Sequence, residues 1–257
     1  ISSNNKDENE IFGIVRKKPK DPIKNINYLE IDLSSNWKKS LLPARADKVI
    51  HLAQSRSFRN FPEQAKDIFR VNINTTSKLL DYCNNVNVEN FLYASSGGVY
   101  GNSKNLFKEN SPLVKPGKLG YYLGSKLCGE ILSQSYSSLY NVIILRFFFI
   151  YGKVQNRNML MPRLFDNVND HKQIILKGES GIKINPIHVT DASSAVISAL
   201  DVNKNSTFNV SGNEIVSIKK ICDIIGSRIN KKPIYIIEPG NASDLIGDNS
   251  LMKERLH

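Results

Sequence analysis

The chain has 257 residues, of which 40% are hydrophobic and 23% charged, so it is long and apolar enough to bury a substantial core. Its net charge is +11, but the cations are scattered, which favours attraction of a small anion over nucleic-acid binding. Three separated cysteines and four histidines without ligand spacing predict reduced thiols and no metal site. The longest apolar stretch, 142–151, is too short to span a bilayer, and no secretory signal is visible. We therefore expect a cytoplasmic protein with neither membrane nor nucleic-acid partners.

Short runs rich in β-branched and aromatic residues alternate with longer helical patterns. Strands are predicted at 10–15, 27–31, 48–53, 90–95 and 142–148. Apolar residues at helical spacing predict helices over 63–84 and 121–140. Alternation of this kind is typical of an α/β protein with a doubly wound parallel sheet.

The pattern loosens after residue 152. Further elements are predicted as a helix at 159–168, a strand at 174–177, and helices at 191–200 and 217–226. We assign residues 1–150 to a dinucleotide-binding (Rossmann) domain and residues 151–257 mainly to a smaller substrate lobe, with segments that return to the first domain. No glycine-rich turn that could receive a pyrophosphate precedes the strand at 10–15, so we expect the first βα unit to lie outside this chain.

Tyr122 and Lys126 are candidate catalytic residues because they lie four apart on a predicted helix and so project from one face. A tyrosine titrates near pH 10 in water, too high for a base at neutral pH, but a neighbouring ammonium favours the phenolate. Tyr122 would then remove a hydroxyl proton while hydride leaves the same carbon, and Lys126 would also hold the ribose hydroxyls of a nicotinamide cofactor.

Ser96 is the third candidate, because it follows a predicted strand at the sheet edge where α/β enzymes bind ligands. Its hydroxyl would hydrogen-bond the reacting oxygen and share its proton with Tyr122. The adjacent Gly97 and Gly98 would admit a bulky ligand close to the backbone.

With these residues identified, the chain resembles the extended short-chain dehydrogenase/reductases, specifically the nucleotide-sugar epimerase/dehydratase branch. The motifs that carry the resemblance are the segments 48–53, 71–72, 95–101, 122–126, 146–152 and 187–191. The resemblance implies that Ser96 rather than Ser95 is the catalytic serine and that Asn72 helps to organise the site. It also implies cofactor contacts from Asp32, Leu33, Leu52, Ala53, Asn72, Tyr122 and Lys126.

The chain departs from the family pattern at several substrate positions. The 4,6-dehydratases have Asp-Glu where this chain has Gly97-Gly98, which argues against a dehydratase. Related epimerases have asparagine in place of Phe149 and an Arg-Asp pair in place of Ile184-Asn185, so their diphosphate clamp cannot be carried over. Four cations could replace the clamp, although the sequence favours a solvated surface charge for each of them: Arg157, Arg163, Lys177 and Lys183. As substrate contacts we predict Gly97, Gly98, Phe149 and Arg163.

The cofactor is predicted to be NAD or NADP. An acidic residue at the end of the second family strand would favour NAD, but the segment 15–18 offers Arg16 and two lysines, which permit the 2′-phosphate of NADP. We include Arg16 among the cofactor contacts.

The sequence leaves three functions open. The leading hypothesis is a nucleotide-sugar 4-epimerase that oxidises its substrate transiently to a keto-sugar, with Tyr122 as base. The alternatives are an NADPH-dependent reductase of a keto-sugar or related carbonyl and, less favoured, a non-catalytic cofactor-sensing protein of the same fold. A homodimer is expected only by analogy with the family.

Overall fold

The computed structural model describes residues 9–256, in which twelve strands and seven α-helices are found. The strands are β1 Ile11–Val15, β2 Ile26–Glu30, β3 Lys48–His51, β4 Asn90–Ser96, β5 Asn141–Phe147, β6 Ile150–Tyr151, β7 Gln173–Lys177, β8 Lys183–Ile184, β9 Ile187–His188, β10 Ser206–Val210, β11 Val216–Ser217 and β12 Ile234–Glu238. The helices are α1 Ala65–Phe69, α2 Thr75–Val86, α3 Gly120–Gln134, α4 Leu160–Asn169, α5 Val189–Ala199, α6 Ile218–Ile229 and α7 Ser250–Arg255.

The main sheet has four strands in the order β10-β5-β4-β3. β3 and β4 pair in parallel, with Lys48 opposite Asn90. β1 and β2 form a separate parallel pair, with Ile11 opposite Ile26. The predicted α/β fold, a parallel sheet with flanking helices, is confirmed. None of the helices within residues 9–256 is long and apolar enough to cross a membrane.

The described chain divides into two compact units. The first unit comprises residues 9–94, 120–144 and 200–206, and the second comprises residues 95–119, 145–199 and 207–256. The core of the first unit is built from α2, β4 and β5, with Leu80, Phe91 and Ile144 wholly buried. The core of the second unit brings together α4, β7, β8 and α6, with Ile184 and Cys222 wholly buried.

The helix predicted at 63–84 is interrupted. Residues Arg70–Asn74 form a π-helical turn between α1 and α2. The extra residue of a π turn changes which side chains share a face, and such turns are frequent at functional sites. Here the turn carries Asn72, which is buried.

Other boundaries differ from the predictions as well. The helix predicted to end at residue 140 ends at Gln134, and irregular turns follow it. The helix predicted to end at Gly226 continues to Ile229, where Asn230 closes it with a left-handed φ of 52°. Two strands of five residues, β10 and β12, were absent from the sequence prediction.

Candidate active site

Helix α3 presents Tyr122 and Lys126 from one face, as their spacing predicts. The helix lies close against β4, because a side chain at Gly129 would meet the hydroxyl of Tyr93 at 2.0 Å. Glycine at this position therefore allows the close approach that buries Lys126, whose side chain points toward the strand. The Lys126 Nζ donates a hydrogen bond of 2.8 Å to the carbonyl of Ala94 on β4.

Lys126 is 3% exposed, and burial lowers the pKa of its ammonium to about 8. The ammonium also lies 5.5 Å from the centre of the Tyr93 ring, a cation–π distance. Behind it, His51 is buried, and burial together with the Lys126 charge lowers the pKa of its imidazole to about 3. His51 is therefore neutral at physiological pH, and its Nε2 is bonded to Thr76 Oγ1 at 2.9 Å.

Tyr122 is half-buried, and burial raises the pKa of its phenol to about 12, although the charge of Arg59 acts in the opposite direction. The ring of Phe58 packs against Tyr122 with 4.7 Å between centroids, and the Arg59 guanidinium lies 5.0 Å above that ring. The Tyr122 hydroxyl donates a 3.0 Å hydrogen bond to Gln54 Oε1. In this ligand-free state Tyr122 is a phenol.

Asn72, on the π turn, is hydrogen-bonded both to the loop that carries Gln54 and to the helix that carries Tyr122. Its Oδ1 accepts from Ser55 N at 2.8 Å, and its Nδ2 donates to Ser125 Oγ at 2.9 Å. Ser125 Oγ in turn donates to the carbonyl of Tyr122 at 2.7 Å. Asn72 thus links the loop after β3 to the first turn of α3, which agrees with the organising role that the resemblance implies.

A half-open cleft of about 150 Å³ lies at the carboxyl ends of β1 and β2. It is lined by Ile14, Val15, Arg16, Ile31, Asp32, Leu33, Ser34, Ala53, Gln54, Ser55, Arg56 and Val71. Four predicted cofactor contacts, Arg16, Asp32, Leu33 and Ala53, therefore meet at one cleft. Leu52 is 54% exposed and does not line it, and neither do Asn72, Tyr122 and Lys126. Apolar walls with a few polar groups suit a nucleoside, and the guanidinium groups of Arg16 and Arg56 suit an anionic diphosphate.

An acid does lie beside the basic segment that follows β1. The Arg16 Nε is 3.8 Å from Asp32 Oδ1, and both side chains are about half exposed. Hydrogen bonds from Ser34 Oγ and Ser34 N, and the Arg16 charge, hold the pKa of the Asp32 carboxyl below its usual value. Asp32 is therefore ionised at neutral pH and offsets part of the charge of Arg16.

Ser96 ends β4 and belongs to the second unit. Its Oγ accepts from Gly98 N at 3.2 Å, which leaves the hydroxyl proton available for a ligand. Gly97 is buried beneath the ring of Phe148, and a Cβ at residue 97 would lie 2.5 Å from that ring. Position 97 therefore cannot hold a side chain unless Phe148 moves.

The positions that depart from the family pattern have structural roles in the second unit. Ile184 is wholly buried in its core, and Phe149 packs against the same core from a left-handed φ of 48°. Asn185 is bonded through both side-chain polar atoms to the backbone of Gly247. Arg163 is exposed on α4. Arg157 precedes this helix and is bonded to Asp166 on it.

Among the residues that the prediction missed are three polar ones that act on Tyr122: Gln54, Arg59 and Ser125. The only sequence signal is proximity to a motif, because Gln54 follows the strand motif at 48–53 and Ser125 precedes Lys126. Gln54 and Ser125 are hydrogen-bonded to Tyr122 and the charge of Arg59 acts on its phenol, and sequence spacing does not reveal these interactions.

Comparison with known proteins agrees with this geometry. The model of the NAD dependent epimerase/dehydratase family matches residues 2–211. A protein named as an uncharacterized UDP-glucose epimerase of Bacillus subtilis is 26% identical over 244 residues, which cover 92% of this chain and 76% of that protein. The UDP-glucuronate 4-epimerase of Thermodesulfobacterium geofontis is 25% identical over 213 residues, 81% of this chain and 65% of that protein.

A solved structure shares the fold. The UDP-glucuronic acid 4-epimerase from Bacillus cereus, in complex with UDP-glucuronic acid and NAD, has a TM-score of 0.82 at 23% identity, covering 96% of this chain and 84% of that one. Fold and family match together define an NAD-dependent enzyme of the extended short-chain dehydrogenase/reductase type. The chain belongs to the NAD dependent epimerase/dehydratase family, as the sequence motifs predict.

Proposed function

We propose that this protein is an NAD-dependent nucleotide-sugar 4-epimerase, with a UDP-sugar as substrate. The observation that carries the proposal is the pairing on α3 of Tyr122 with the buried Lys126, in a chain that belongs to this family. The names of relatives at 25–26% identity, a UDP-glucose epimerase and a UDP-glucuronate 4-epimerase, support the substrate class and the reaction. The cytoplasmic location and the homodimer stay predictions.

In the proposed mechanism NAD, held by the cleft residues Arg16, Asp32, Leu33 and Ala53, would supply a hydride acceptor for oxidation at C4 of the sugar and a hydride donor for reduction of the keto-sugar from its other face. Tyr122 takes the proton of the C4 hydroxyl during oxidation and gives it back during reduction. Its pKa of about 12 is too high for this in the free protein, so a further positive charge near the phenol is needed to favour the phenolate. Lys126 supplies an ammonium one helical turn away and hydrogen bonds for the ribose, and Ser96 supplies a hydroxyl for the sugar oxygen.

The cleft favours NAD over NADP. Asp32 lies 3.8 Å from the Arg16 guanidinium, so the cleft that would hold the adenosine end of the cofactor carries a carboxylate beside the basic segment 15–18. A 2′-phosphate would meet that carboxylate as a like charge. This argues against the NADPH-dependent reductase.

The environment of Gly97 disfavours the dehydratase branch. Elimination of water from the sugar requires acid and base side chains in addition to Tyr122. The Phe148 ring fills the space that a side chain at residue 97 would need, so the Asp of the dehydratase pattern does not fit there.

A single assay tests the proposal. UDP-glucuronic acid and UDP-glucose are each incubated with the protein and NAD, and proton NMR follows the sugar while absorbance follows NADH. We expect a C4 epimer to form without net accumulation of NADH. Absence of a C4 epimer from either sugar, with NADPH consumed when a UDP-4-keto-sugar and NADPH are supplied in a parallel incubation, would overturn the proposal.

A further inference from the structure

The hydroxyl of Tyr122 is bonded to a side-chain amide rather than to a charged group. Gln54, three residues beyond the end of β3, accepts from the Tyr122 hydroxyl through Oε1 at 3.0 Å. The next residue, Ser55, is 1% exposed, and its N–H is fixed by Asn72 Oδ1 at 2.8 Å. The backbone that carries Gln54 is therefore anchored, although the Gln54 side chain itself is exposed.

The same asparagine anchors Tyr122. Asn72 Nδ2 donates to Ser125 Oγ, which donates to the Tyr122 carbonyl. Ser125 is 3% exposed and Asn72 is 1% exposed, so these bonds are shielded from competing water. One buried side chain thus anchors both backbone segments, the one that carries Gln54 and the one that carries Tyr122.

A carboxamide has a property that suits an acid/base tyrosine. It carries an acceptor oxygen and a donor nitrogen of nearly equal size, and rotation about its terminal bond exchanges them. A phenol donates a hydrogen bond, whereas a phenolate can only accept one. In a 4-epimerase Tyr122 passes through both forms, and an exposed amide has room to turn.

We propose that Gln54 bonds both protonation states of Tyr122, accepting from the phenol through Oε1 and donating to the phenolate through Nε2 after the amide rotates. The inference rests on the proposed acid/base role of Tyr122. It makes Gln54 a further catalytic residue, because its amide contacts the oxygen that gains and loses the proton.

Other groups in the first unit also act on this oxygen or lie beside the amide. Arg59 on the loop after β3 is a cation that favours the phenolate, and Tyr93 on β4 is a phenol close enough for Tyr122 to affect its titration. Lys126 on α3 is buried and donates to the carbonyl of Ala94, and Asp67 on α1 is bonded to Ser55 Oγ, next to Gln54. A donor from Gln54 would add to the effect of Arg59 and oppose that of burial.

The sign of one pKa shift tests the proposal. The phenol carbons of the ten tyrosines are labelled with carbon-13, NAD is added in excess, and the resonance of Tyr122 is assigned by its loss in Tyr122→Phe. The pKa of Tyr122 is then compared in the wild type, Gln54→Leu, Gln54→Glu and the control Gln134→Glu, which changes an exposed glutamine at the far end of α3.

If Gln54 serves both states, Gln54→Leu raises the pKa of Tyr122 by roughly 0.5–1 pH unit, because a phenolate loses more from a missing hydrogen bond than a phenol does. Gln54→Glu, which can only accept, raises it further, and Gln134→Glu leaves it unchanged. The acid limb of kcat for epimerisation of UDP-glucuronic acid moves in the same order.

If the amide only accepts, Gln54→Leu lowers the pKa of Tyr122, since the phenol then loses its partner. That outcome, an unchanged pKa, or a Tyr122 resonance that stays at its phenol position in every variant up to the pH at which circular dichroism shows unfolding, would overturn the proposal. The titration needs no turnover, so failure of the epimerase assay is a separate result.

Discussion

Asn185 in the second unit and Lys126 in the first unit are both 3% exposed, but their hydrogen bonding differs. The Asn185 amide donates to Ser211 Oγ and to the carbonyls of Gly212 and Gly247, and its oxygen accepts from Gly247 N. Among the described residues, the Lys126 ammonium donates one hydrogen bond, to the carbonyl of Ala94. It has donors left over for a ligand.

This difference in hydrogen bonding distinguishes buried polar residues that stabilise the fold from buried polar residues that take part in catalysis. A buried polar group with all its partners stabilises the loops that it joins, whereas a buried charge with few partners is costly and is retained for a function. Arg146 follows the first pattern: its Nη1 bonds Tyr100 Oη at 2.6 Å and the carbonyl of Glu109, although it opens one of the sequence motifs. Lys126 follows the second.

The largest effect is expected at Tyr122. Tyr122→Phe removes the hydroxyl that exchanges the proton, so turnover should fall at least ~100-fold. Stability should change little, because the ring contacts remain. The matched control is Tyr121→Phe, whose ring stacks on Phe61 at 4.7 Å and which should keep its turnover. Equal turnover in the two variants, measured by the NMR assay, would remove Tyr122 from the mechanism.

The pH dependence of the stability of Lys126→Met tests the free-energy cost of burying the Lys126 ammonium. The pKa of Lys126 in the folded protein is about 8, below its ordinary value of 10.5, so between these values the unfolded state binds more protons. The unfolding free energy of the wild type should therefore rise with pH in this window relative to that of the variant. The stability advantage of Lys126→Met should shrink by about 3 kcal/mol from pH 8 to pH 10.5, as urea unfolding measures. A difference that is independent of pH contradicts a buried ammonium.

Asn185→Ala tests the structural side of the comparison. Loss of its side-chain bonds removes the acceptor of the Gly247 N–H and one of the two side-chain donors to each of the Gly247 and Gly212 carbonyls, and the free energy of unfolding should fall by about 2 kcal/mol. The KM for a UDP-sugar should not change, because Asn185 is a structural residue in this account. Asn203→Ala, at an exposed position, serves as the control with no loss of stability. A rise in KM without destabilisation would instead make Asn185 a substrate contact.

The smallest effect concerns Phe149, which holds a left-handed φ of 48° that asparagine adopts more readily. Phe149→Asn loses apolar contact but relieves this strain. It should therefore destabilise the protein less than Phe147→Asn, at a partly buried position in β5, by about 1 kcal/mol in urea unfolding. Equal losses would show that the backbone at residue 149 is unstrained.

The parts of the fold that follow from local pattern could be predicted from the sequence. Four-residue spacing places Tyr122 and Lys126 on one helix face whatever surrounds the helix, and the apolar runs of β4 and β5 indicate buried strands. β10 could not be predicted in this way, because Asn209 interrupts its apolar pattern. That residue is tolerated because its amide donates to the carbonyl of Phe107, 102 residues away in the chain.

The same limit applies to the site. Gln54 and Tyr122 are 68 residues apart, and Asn72 and Ser125 are 53 apart, so no local pattern relates them. The π turn that carries Asn72 is a second example. The apolar spacing over 63–84 predicts one uninterrupted helix, but the π turn lies in the middle of that range. Sequence reasoning could identify the groups that do the chemistry, but not the polar side chains that hold them in position.

Epimerisation in deuterated water tests the central claim most directly. UDP-glucuronic acid is incubated with the protein and NAD, and proton NMR of the product is recorded. Because hydride leaves C4 and returns to C4 within the site while Tyr122 exchanges only the hydroxyl proton, the account predicts the C4 epimer with hydrogen, not deuterium, at that carbon. Deuterium at C4, or no epimer at all, would contradict it.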